Sequence, residues 1–155
     1  FVDSGYTRVQ GIEALTAFNL GAIPGILVLA ALTTRLPLVP LLSLFFLGAG
    51  GVLAFVGLSE PRELDVLMRL MFAGGFVLHG GFTCLYALAT HVYPSDIRAA
   101  GVGWAAGLGR TGAIASPLLA AALLSAGWGM YALFSLFAIP LALGGLLLWV
   151  FVQDD

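Results

Sequence analysis

Lysine is absent from these 155 residues, and six arginines face eight acids. Charged residues make up 9% of the chain and hydrophobic ones 61%, with a mean hydropathy of +1.07. A soluble domain of this length needs a charged exterior, and so few ionisable groups cannot cover one. Lipid is therefore the expected solvent for most of the surface. No basic cluster is present, which excludes a nucleic-acid surface and a polybasic membrane anchor. The single cysteine, Cys84, excludes an internal disulfide and a cysteine-based metal cluster. Nothing in the pattern calls for a cofactor or a bound metal. No cleavable leader precedes the apolar runs, the chain opens on Phe1, and its first methionine is Met68. A fragment of a longer chain is the expectation.

What the sequence does have is long apolar runs. Five are expected to cross a bilayer, at 11–32, 38–58, 66–92, 99–126 and 128–152. Each is near or above the roughly 20 residues that a helical crossing needs. They are expected to be helices, because lipid offers no partner to backbone N–H and C=O groups. Barrel strands would be shorter and would alternate in polarity. The expected fold is thus all-α, five transmembrane helices. Pro24, Pro117 and Pro140 fall inside spans, as kinks that a membrane bundle tolerates. Charge does not orient the bundle: Arg35 and Arg98 lie on one side, Arg8 and Arg62 on the other.

Polar residues divide the spans. The second and fifth carry no ionisable group, whereas the first holds Glu13 and Asn19, the third Arg69, His79 and His91, and the fourth Arg110. Polar groups in hydrocarbon normally face a bundle interior or a watery cavity. Spans one, three and four are therefore expected to line a cavity, with spans two and five as outer supports. Arg110 lies twelve residues past Arg98, roughly 18 Å along the helix and near mid-bilayer. Gly103, Ala106, Gly107, Ile114 and Pro117 share its face at helical spacing. A guanidinium there suits a substrate carboxylate through two parallel hydrogen bonds; an ion pair with an acid on another helix is the alternative. His79 shares a stripe with Thr83, Tyr86 and Thr90. It could carry a coupling proton, since imidazole is the side chain that changes charge near physiological pH, or it could be a neutral residue bonded to a neighbouring helix. Tyr86 could contact a substrate ring. Glu13 is expected in the first turn of its helix, where an acid suits the dipole. Asn19 could be helix–helix glue or a substrate contact, and Arg69 a snorkelling anchor.

The stretch from Tyr93-Pro94-Ser95-Asp96-Ile97-Arg98 through Gly101, Gly103-Trp104 and Gly109-Arg110 to Pro117 resembles the major facilitator superfamily. More narrowly, it is similar to the aromatic acid:proton symporter family. Gly80-Gly81 with Leu85-Tyr86 and Leu88-Ala89, and Phe137-Ala138-Ile139-Pro140, fit the same family. The resemblance implies helices eight to twelve of a twelve-helix transporter, so that residues 1–155 form part of its C-terminal half. It implies that Arg35, Arg98 and the C-terminus are cytoplasmic, and that helices eight, ten and eleven line the cavity. Arg98 and Arg110 match the family's two arginines; with Asp96, Arg98 would form a gate together with Arg35, and Arg110 would be the cavity cation. Two positions depart from the family pattern. Phe82 stands where a glutamine is common, and the loop Thr34-Arg35-Leu36-Pro37 replaces an Asp-Arg-Phe-Gly pattern, losing the acidic gate partner.

The resulting expectation is a bacterial inner-membrane importer of small aromatic carboxylates, in symport with protons, working by alternating access. Arg110 would hold the carboxylate, Tyr86, Phe82 and Asn19 would contact the substrate, and His79 would carry the proton. The partners implied are the acid, protons, the bilayer and the N-terminal helices of the same transporter. A facilitator for a sugar, a nicotinate-like acid or a drug is the nearest rival, and a structural membrane subunit a further one. An enzyme is not expected, because no paired acids occur within spans and His79 and His91 lie about 120° apart around one helix.

Overall fold

The computed structural model describes residues 6–151, with side chains for all of these except 91 and 151. Five helices follow one another: α1 Arg8–Leu32, α2 Leu38–Ser59, α3 Leu64–Val92, α4 Arg98–Ser125 and α5 Met130–Phe151. All five are long and apolar enough to cross a membrane.

Local chemistry sets the helix ends. Thr7 and Gln10 form a capping box: the Gln10 N–H donates to Thr7 Oγ1 at 3.3 Å, and the Thr7 N–H to Gln10 Oε1 at 2.8 Å. The box starts α1 at Arg8, and Glu13 therefore lies in the second turn. The helix-dipole account expected for Glu13 loses its basis, since dipole stabilisation fades beyond the first turn. Asp65 takes the corresponding place in α3, inside its first turn. Glu60, at φ 43°, ends α2 in the left-handed region. Gly127, at φ 89°, turns the chain between α4 and α5 where a side chain would be strained.

Two helix pairs make the body of the bundle. Helix α1 packs along α3, α2 packs along α5, and α2 also meets α3. The α1–α3 crossing is backbone on backbone. A Cβ on Gly75 would fall on the Phe18 carbonyl, and one on Gly21 on the Phe72 carbonyl. Two core clusters flank this crossing. Ala14, Ala17, Val56, Leu67 and Met71 form one; Leu29, Leu41, Leu42, Phe45 and Cys84 form the other. Beside the first, the hydroxyls of Tyr6 and Tyr131 both donate to the Pro61 carbonyl, at 2.5 and 2.9 Å. That clasp joins the start of α1, the α2–α3 loop and the start of α5.

Helix α2 corrects an expectation. Its lack of charge suggested an outer support, yet it lies between α3 and α5 and buries Leu41, Leu42, Phe45, Ala49 and Val56. Its apolarity serves a protein core on two sides. Helix α4 is the opposite case. It touches α3 and α5 lightly, and none of its described residues is buried.

Candidate substrate cleft

Helices α3 and α4 diverge around a cleft of about 520 Å³. Phe82, Leu85, Tyr86 and Ala89 form the α3 wall, and Val102, Ala105, Ala106, Gly109, Arg110 and Ala113 the α4 wall. Apart from Arg110, the α4 wall is made of small side chains, which is why two neighbouring helices leave space here. Phe82 and Tyr86 are one turn apart on α3 and meet edge to face, ring centres 6.1 Å apart at 81°. Both remain exposed, at 54% and 44%. Arg110 is exposed as well. Among the described residues it has no ion pair, the one such pair being Arg69 with Asp65. The cleft thus offers one uncommitted guanidinium and two aromatic faces within an apolar wall. Depths agree: Arg110 lies roughly 18 Å along α4 from Arg98, and Phe82 roughly 15 Å back along α3 from Val92.

Three of the expected residues, Arg110, Tyr86 and Phe82, therefore come together. The expected companions of Arg110 change. Ala106 lines the cleft with it, but Gly103 and Gly107 face the other side, beside Trp104, Leu108 and Thr111. Trp104 is 73% exposed there. The structure places the remaining residues elsewhere. His79 packs against Phe18 of α1, ring centres 5.1 Å apart, with Nδ1 3.2 Å from the Gly75 carbonyl; it is not part of the cleft lining. Asn19 is exposed on α1, and its Nδ2 donates to the Leu15 carbonyl at 2.9 Å. At the far end of the bundle, Arg98 Nε donates to the Tyr93 carbonyl at 3.2 Å. Asp96 sits in the turn before α4 and Arg35 in the turn after α1, both exposed. No ion pair joins these three among the described residues. The side chain of His91 lies outside the described residues.

Sequence reasoning missed a second cleft. Glu13 and Thr16 of α1 face Asp65, Met68, Arg69 and Phe72 of α3 across about 500 Å³. Arg69 Nη2 donates to Asp65 Oδ2 at 2.6 Å. The signal was present: Asp65 and Arg69 stand four apart, the spacing of a helix-surface pair. Beginning the third span at 66 left Asp65 outside the helix and hid the pair.

The sequence of residues 3–155 matches the model of the Major Facilitator Superfamily. The chain belongs to that superfamily. It is 32% identical over 152 residues to the 3-(3-hydroxy-phenyl)propionate transporter of Escherichia coli (strain K12), covering 98% of this chain and 37% of that protein. It is 34% identical to the gallate transporter of Pseudomonas putida, covering 89% of this chain and 30% of the relative. A niacin transporter of Acinetobacter baylyi is 33% identical, with 90% and 31% covered. No solved structure matches. The chain spans about a third of the length of these curated relatives. The resemblance to aromatic acid transporters read from the Tyr93–Pro117 stretch holds: the relatives are transporters, two of them named for phenolic acids. With five helices long and apolar enough to cross a bilayer, the chain is a multi-pass membrane protein of this superfamily.

Proposed function

We propose that this chain is the C-terminal part of a bacterial inner-membrane transporter that imports small aromatic carboxylates together with protons. One observation carries the reading: Arg110 stands in the same cleft as the exposed rings of Phe82 and Tyr86. A guanidinium takes a carboxylate through two parallel hydrogen bonds. Two rings set edge to face leave a face and an edge for a third ring. The substrates named for the relatives, a hydroxyphenylpropionate and gallate, have these two parts.

In this reading the C-terminus is cytoplasmic, Arg35, Asp96 and Arg98 lie at the cytoplasmic end and form a gate, and helices outside this chain complete the cavity. Alternating access comes from rocking of two helical halves about the central site. Inward movement of an anion opposes a negative-inside potential, so co-transport of protons supplies the drive. His79 remains the candidate proton carrier on this chain, acting from the α1–α3 contact and not from the cleft. Asn19 is a candidate contact on the exposed face of α1. A nicotinate-like acid is a second reading, favoured by the niacin transporter among the relatives; it has the same two parts, a carboxylate and a ring.

Uptake of labelled 4-hydroxybenzoate, 3-(3-hydroxyphenyl)propionate and nicotinate by cells expressing the full-length parent tests the proposal. Accumulation of the first two that collapses with a protonophore supports it. Accumulation of nicotinate alone moves the substrate to the second reading. No accumulation, with the protein present in the membrane, overturns both.

A further inference from the structure

The second cleft repeats the chemistry of the first. At the end of the bundle that carries Arg8 and Arg62, Arg69 and the 42%-exposed ring of Phe72 stand together, with Leu20 and Met68 as apolar lining. Its volume, about 500 Å³, is close to the 520 Å³ of the α3–α4 cleft. Both share α3 as a wall, and Phe82 lies roughly 20 Å along that helix from Arg69.

The difference is that Arg69 already holds a carboxylate, and that bond is weakly fixed. The pair is exposed, at 81% for Arg69 and 76% for Asp65, with four-residue spacing on one helix. Pairs of this kind contribute little, because water competes for both partners. Asp65 does not depend on the pair, since it sits in the first turn of α3, where the helix dipole favours an acid. Arg69 gives one N–H to Asp65 and has further donors in its fork. Glu13 lines the same cleft from α1 without pairing to Arg69 among the described residues.

The geometry points to a second, outer subsite for the same aromatic carboxylate, in which the substrate replaces Asp65 on Arg69 and lays its ring against Phe72. The inference rests on the proposed function and deepens it. Asp65 and Glu13 act as competitors there: they keep the outer subsite weak, so that the acid is passed on along α3 toward Arg110. No covalent change is involved, only exchange of one carboxylate for another.

The two partners of this ion pair should therefore act in opposite directions. In cells expressing the full-length parent, the concentration dependence of labelled aromatic-acid uptake is measured for wild type, Asp65→Asn, Arg69→Gln and Arg69→Lys. Membrane abundance is measured in parallel. Arg69→Gln should raise KM about three- to tenfold at a maximal rate within about twofold of wild type. Asp65→Asn should lower KM about two- to fivefold. Arg69→Lys, which keeps the charge but not the fork, should fall between wild type and Arg69→Gln. A pair that only steadies the helix would make Asp65→Asn and Arg69→Gln shift in the same direction. That result, or unchanged KM values, overturns the subsite while leaving wild-type uptake and the proposed function standing. Absence of wild-type uptake overturns both together. Purified full-length parent in vesicles of neutral and of anionic phospholipid separates a lipid headgroup at Arg69 from the substrate. KM shifts seen only with anionic lipid would assign Arg69 to lipid and overturn the proposal.

Discussion

At the scale of single residues, Arg110 and the Phe82–Tyr86 pair carry the functional reading. A hydrogen bond to a charged partner is worth about 1.5–3 kcal/mol, which is roughly a ten- to hundredfold change in affinity. Arg110→Ala in the full-length parent should raise KM for an aromatic acid by at least about tenfold or abolish uptake. Arg110→Lys should recover part of the loss, because it restores charge without the planar fork. An aromatic contact is worth about 0.5–1.5 kcal/mol, so Tyr86→Ala should raise KM about two- to tenfold, and Tyr86→Phe much less. Arg110 was legible in the sequence, since a cation roughly 18 Å from the Arg98 end of its helix and farther still from the other end is costly without a purpose. Its neighbours were not. The face assigned to it took in Gly103 and Gly107, while the cleft is walled by Val102, Ala105 and Gly109. Helical spacing says which residues share a face, and the position of the neighbouring helix decides which face closes a cleft.

At the scale of elements, the α1–α3 crossing is the tightest constraint. Gly75 admits no side chain, because the Phe18 carbonyl occupies the place of a Cβ. Gly75→Leu must separate the two helices and should destabilise the bundle by about 1–3 kcal/mol or more. Loss of folded protein at lower temperature, followed by size-exclusion chromatography in detergent, would register it. Gly51, beside which a Cβ meets open space, should accept the same change. The number and type of elements were legible, because long apolar runs permit little else in lipid. The role of α2 was not: an uncharged helix suits lipid and a protein core alike, and composition does not separate the two. The start of α1 was displaced as well. The Thr7–Gln10 box lies in a polar stretch that hydropathy does not reach, and that shift moved Glu13 out of its first turn.

At the scale of the whole molecule, α1, α2, α3 and α5 form one packed body, held at one end by the Tyr6 and Tyr131 hydroxyls on Pro61. Helix α4 lies against it with no described residue buried. In the 155-residue chain held in detergent, a cysteine placed at Gly107 should react readily with a maleimide. One placed at Ala49, at 0% exposure, should react only after unfolding. Cys84→Ser serves as the background, since Cys84 is the one native thiol. The curated relatives that this chain matches are about three times its length.

The most direct test of the cleft compares an acid with its uncharged isostere in the full-length parent reconstituted into vesicles. Exchange of labelled 4-hydroxybenzoate is followed while unlabelled 4-hydroxybenzoate or 4-hydroxybenzamide competes, in wild type and in Arg110→Gln. The account predicts that wild type prefers the acid by about tenfold or more, and that Arg110→Gln loses this preference while still recognising the ring. An Arg110→Gln protein that keeps the full preference for the carboxylate would contradict it.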